Sequence, residues 1–94
     1  MKRISYTSHL ELRLKIREIP YDLPKKIYEQ AEERYFDNAT GKFVAVSLAR
    51  YKSKVREFAV VYEETEQEIR LITIHPLKTY QKFSRIQSKR WQKL

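Results

Sequence analysis

Apolar and polar residues alternate in blocks along this chain, and the block periods predict its elements. Residues 2–7, Lys-Arg-Ile-Ser-Tyr-Thr, are expected to open the fold as a short strand. From His9 to Ile19 the signal is double. Leu10, Leu12, Leu14 and Ile16 alternate with Glu11, Arg13, Lys15 and Arg17, which is strand periodicity. Ser8-x-x-Glu11 nevertheless has the form of a capping box, and leucine, glutamate, arginine and lysine all favour helix. Either assignment places His9, Arg13 and Arg17 on one side. The segment Ile19-Pro20-Tyr21-Asp22-Leu23-Pro24 is a stiff connector, and Pro24 suits the first turn of a following helix.

Lys25 to Phe36 has the spacing of an amphipathic helix, with Ile27, Ala31, Arg34 and Tyr35 on one side and Glu29, Glu32 and Glu33 facing water. Asp37-Asn38-Ala39-Thr40-Gly41 is a turn cluster holding the only glycine. Three strand-like runs follow: Phe43 to Arg50, Val55 to Tyr62 and Glu68 to His75. In the last of these, Ile69, Leu71, Thr73 and His75 share one parity, and Arg70, Ile72 and Ile74 the other. The linkers 51–54 and 63–67 are short enough for hairpins. The expected fold is therefore α+β in β-α-α-β-β-β order, a small antiparallel sheet of about four strands with one or two helices on one side. Residues 1–76 would form the domain, and 77–94 a basic helical or extended tail.

Charge sharpens this division. Lys78, Lys82, Arg85, Lys89, Arg90 and Lys93 fall between Pro76 and Leu94 with no acid among them, so +6 of the formal net charge of +8 lies in one fifth of the chain. A concentrated cationic segment interleaved with Tyr80, Phe83 and Trp91 suits a polyanion whose bases stack, which points to nucleic acid. Helical spacing would dock Tyr80, Phe83 and Ile86 on the sheet and leave Lys78, Lys82, Arg85 and Lys89 exposed. Trp91, nearly terminal among cations, is then the better candidate for stacking a base.

Other chemistries are narrowed by what the chain lacks. It has no cysteine, so disulfides and thiolate–zinc sites are excluded, and His9 and His75 lack any metal-ligand spacing. No phosphate-loop, dinucleotide or nucleophile-elbow motif is present, so no cofactor is expected. No apolar run approaches a membrane span, and a cytoplasmic location is the expectation. Cleavage of RNA without a metal remains open, because the 2′-hydroxyl is itself the nucleophile and the protein need only orient it, move protons and hold charge. His75 closes the last strand where the near-neutral body meets the cationic tail, and has the right pKa for proton transfer. His9 and Arg13 would support it. Nucleic acid would be gripped by Arg50, Lys52, Lys54 and Arg56 around the first hairpin, by Lys82, Arg85, Lys89 and Arg90 in the tail, and by Tyr62 or Trp91 through stacking. The turn inside the 50–56 hairpin would prevent its four cations from forming one row.

Up to about residue 76, this layout resembles the RelE/ParE-type toxin superfamily, especially the BrnT-like group. The resemblance is carried by an early strand, His9-x-x-x-Arg13-x-x-x-Arg17-x-Ile19-Pro20, a second helix, a meander with a basic hairpin, and the close Thr73-Ile74-His75-Pro76. It implies a compact sheet with helices on one side. It also implies a metal-independent endoribonuclease acting on RNA, including messenger RNA on the ribosome, neutralised by an acidic antitoxin protein. The tail ending Ser88-Lys89-Arg90-Trp91 departs from the superfamily pattern. Two alternatives stand beside this reading: a non-catalytic nucleic-acid-binding module, and an interaction domain for an acidic protein partner.

Overall fold

The computed structural model describes residues 2–94. Nine elements follow one another: β1 (Arg3–Tyr6), α1 (Ser8–Arg17), α2 (Leu23–Gln30), β2 (Glu33–Asp37), β3 (Lys42–Tyr51), β4 (Lys54–Glu64), β5 (Glu68–Pro76), α3 (Gln81–Gln87) and β6 (Trp91–Lys93). The six strands form one sheet in the order β1-β5-β4-β3-β2-β6. All neighbours are antiparallel except β1, which runs parallel to β5. The architecture is α+β as expected, but the sheet is mixed, has six strands rather than about four, and carries three helices.

Most of segment 9–19 is helical, up to Arg17, which settles its double signal. Thr7, rather than Ser8, is the N-cap, its hydroxyl accepting from Leu10 N at 3.1 Å. The helix stops where Glu18 turns left-handed (φ 55°) and Ile19 N donates back to Leu14 O at 2.9 Å, so Leu14 and Ile19 close over each other in the core. The strand-like alternation survives as a helix with apolar residues on both sides: Leu10 and Leu14 are buried, Leu12 and Ile16 exposed.

The expected helix over 25–36 ends early, at Gln30. Residues 33–37 instead pair with β3 on one side and β6 on the other. Alternation buries Tyr35 and Asp37 on one face of β2, while Arg34 and Phe36 take the other. Two ladders of hydrogen bonds and a buried tyrosine outweigh a helix preference of a few tenths of a kcal/mol per residue.

A β-bulge reshapes β5. Val61 pairs with Thr73 and Tyr62 with Leu71, leaving Ile72 as the extra residue. Ile69, Leu71 and Ile74 therefore share the core under α1 and α2, and the parity expected for Thr73 and His75 is reversed. This helix-side core also holds Leu10, Leu14, Ile27, Phe58 and Val60. The opposite face has a second cluster, Tyr35, Val44, Val46, Ala59, Leu77 and Trp91. β3 and β4 run on past β2 and β5 as a two-stranded ribbon, since β2 begins opposite Val46 and β5 ends opposite Phe58. No helix among the described residues is long and apolar enough to cross a membrane.

Candidate nucleic-acid interface

The bulge aims His75 at the face that carries no large helix. There Ile72, Thr73 and His75 of β5 line an open hollow of about 310 Å³, walled across the sheet by Val61 and Val44 and rimmed by Arg85, Arg90 and Trp91. β1 ends at Tyr6, so the edge of β5 beyond Leu71 has no neighbouring strand. Side chains take over: Thr7 Oγ1 donates to Ile72 O at 3.0 Å, and Arg13 Nε to Ile74 O at 2.9 Å. Arg56 Nη2 donates to Leu77 O at 3.4 Å, two residues past His75. Arg13 and Arg56 thus reach the end of β5 from the helix-bearing side, and Arg85 approaches from α3 on the open side.

Among the described residues, none of these three arginines has a carboxylate within 4.0 Å, whereas Arg3, Arg70 and Arg90 do. Burial holds His75 below the ordinary histidine pKa, and the positive charges of Arg13 and then Arg85 push it the same way. Near neutral pH the imidazole is uncharged and able to accept a proton. The arrangement combines a proton acceptor with cationic donors that lack an internal counter-ion, which suits a phosphodiester.

Other expected site residues are spent on structure. Trp91 is 4% exposed, with its ring stacked on Tyr35 at 5.3 Å between centroids, so it offers no free face to a base. Its indole N–H is buried without a hydrogen-bond partner among the described residues. The Asp37 carboxylate is near enough for that indole to contribute to the lowering of its pKa, though hydrogen-bond geometry is lacking. Tyr62 is buried in the helix-side core, its hydroxyl accepting from Arg34 Nη1 at 3.3 Å. Arg90 grips Asp37 through three contacts of 3.1–3.3 Å. Burial alone would raise the Asp37 pKa, but the bonds from Arg90 and from Ala39 N reverse it to below the usual range. Lys82 Nζ lies 2.7 Å from Glu57 and 3.0 Å from Glu33, and this latch fastens α3 to the sheet.

His9 does not join His75. It is exposed on the first turn of α1, on the opposite side of the sheet. Arg50, Lys52 and Lys54 stand exposed at the ribbon tip, and cross-strand pairing divides the hairpin cations. Arg50 opposes Val55 on the hollow-facing side, while Lys54 and Arg56 oppose Tyr51 and Ala49 on the other. Lys54 is five residues from Ala59, the cross-strand partner of His75, or roughly 17 Å along the strand. Lys89 is exposed, with no carboxylate partner among the described residues. The tail aromatics have exchanged expected roles: Trp91 docks, while Tyr80 is 80% and Phe83 60% exposed.

Sequence reasoning missed Thr73 and Ile72 as wall residues. A bulge without glycine or proline leaves no local signal, and strict alternation then assigns the wrong face. Compared with family models, curated proteins and solved structures, the chain matches none of them.

Proposed function

We propose that this protein is a RelE-like, toxin-type RNA-binding protein that cleaves RNA without a metal ion. The observation that carries the reading is the end of β5: a part-buried His75 that feels the charges of Arg13 and Arg85, with Arg56 bonded to Leu77 O two residues on and, among the described residues, no carboxylate neutralising the arginines. The helix pair on one side of a compact sheet also fits the resemblance drawn from the sequence. In the proposed step His75 takes the proton of a 2′-hydroxyl, and that oxygen attacks the adjacent phosphorus. The P–O5′ bond breaks to leave a 2′,3′-cyclic phosphate, the departing 5′-oxygen takes a proton from water at the open mouth of the hollow, and the hydroxide left behind takes the proton back from His75. Arg13 and Arg85 hold the charge that grows on the phosphoryl oxygens.

The test is incubation of a long RNA with the protein in excess chelator. The wild type should cut it, and His75→Ala should slow cutting by roughly 10²–10⁴-fold, the usual worth of a positioned proton-transfer group. Intact RNA with the wild type, or undiminished cutting by the variant, overturns the assignment. A second reading, a non-catalytic nucleic-acid-binding module, is favoured by the placement of His9, which leaves His75 without a second histidine to act as its acid. Its mark is salt-sensitive RNA binding with no cleavage at all.

A further inference from the structure

We propose that Tyr80 and Phe83 form a stacking platform for unpaired bases of single-stranded RNA beside the His75 centre. The identity of the ligand rests on the functional reading above; the platform itself rests on the exposure of two rings at the start of α3. Lys82 and Arg85 of α3 point inward, the first onto Glu33 and Glu57 and the second to the rim of the hollow. Tyr80, the residue that caps α3, and Phe83, in its first turn, are 80% and 60% exposed. A helix is about 10 Å across, so a strand passing from Arg85 over α3 covers that span with one or two nucleotides.

Three further features argue against two idle surface rings. Tyr80 holds a left-handed backbone (φ 67°), which costs a non-glycine residue about 1 kcal/mol and still leaves its ring in water. α3 has no buried residue, so its outer aromatics are not by-products of packing. The segment itself is one-signed: residues 76–94 contain no acid, and although Lys82 is paired with Glu33 and Glu57, Lys78, Arg85 and Lys89 have no carboxylate partner among the described residues. Flat rings between uncompensated cations suit stacked bases with their phosphates alongside.

The test measures binding separately from cutting, with the full chain and a 2′-O-methyl RNA of about twelve nucleotides that has no free 2′-hydroxyl. Tyr80→Ala and Phe83→Ala should each weaken binding by roughly tenfold, and the pair by up to a hundredfold, without changing the salt slope. Tyr80→Phe and Phe83→Tyr should bind like the wild type. An abasic strand of equal length should not distinguish wild type from the alanine variants. Unchanged affinity in the double alanine variant overturns the platform, as does an equal loss on the abasic strand or a loss in the aromatic swaps. A wild type that binds this RNA but never cuts a cleavable one defeats the ribonuclease reading and leaves the platform standing. Failure of the wild type to bind the probe at all overturns both.

Discussion

His75 owes its chemistry to neighbours far away in the chain. Burial lowers its pKa, and Arg13 from α1 and Arg85 from α3 lower it further. Removing a positive charge favours the protonated form, so Arg85→Gln should raise the His75 pKa, as followed by its imidazole NMR resonances against pH. An unmoved titration would place Arg85 away from the ring. Since the folded chain holds the group below its unfolded value, stability should fall as pH drops through about 6.5, where the unfolded chain binds a proton that the folded one resists. Cutting should persist below pH 6.5 and fade as the folded His75 protonates. The sequence marks His75 through its place at a strand end before Pro76, but the lowered pKa depends on two arginines 62 residues back and 10 residues on.

At the scale of elements, the tail is held by polar anchors and one large ring. Trp91→Ala should cost about 3 kcal/mol in urea unfolding, as expected for emptying a buried aromatic site. Tyr80→Ala and Phe83→Ala should each stay within about 0.5 kcal/mol. Equal costs at all three positions would contradict the placement of the tail. The ribbon turn offers a second check. Lys52 and Ser53 both have positive φ, 49° and 66°, the backbone of a type I′ turn that favours Asn-Gly. Ser53→Gly should therefore stabilise the protein by about 0.5–1 kcal/mol, raising Tm by several degrees. The early stop of α2 and the strand that follows are less legible, because Glu32 to Phe36 fits a helix until β3 and β6 compete for it.

Across the whole molecule, the charge visible in the sequence is redistributed by pairing. Lys82 and Arg90 belong to the basic tail but are occupied by Glu33, Glu57 and Asp37. Among the described residues, the cations left without a carboxylate include Arg13, Arg56 and Arg85 at the end of β5 and Arg50, Lys52 and Lys54 along the ribbon. Each phosphate contact on a single strand contributes about −0.7 to the log–log salt slope. Neutralising Arg50, Lys52 and Lys54 to Gln should make the slope for a long RNA shallower by up to about 2, provided that RNA spans both regions. An identical slope would confine binding to the end of β5. Deleting residues 77–94 is a poor test of binding, since it also uncovers the Tyr35, Val44 and Ala59 face on which Leu77 and Trp91 pack.

Local chemistry was enough to specify the three long strands, the basic hairpin and the position of His75 beside a cationic segment, while it left residues 9–19 open between helix and strand. Each depends on periodicity, capping or charge within a few neighbouring residues, and these act before the chain has folded. The face that His75 occupies, the cations left unpaired and the ring that docks had other origins. They follow from a bulge opposite Val61, from the end of β1 at Tyr6 and from the pairing of β6 with β2. These contacts join residues distant in sequence, and their energies exist only once the sheet has closed.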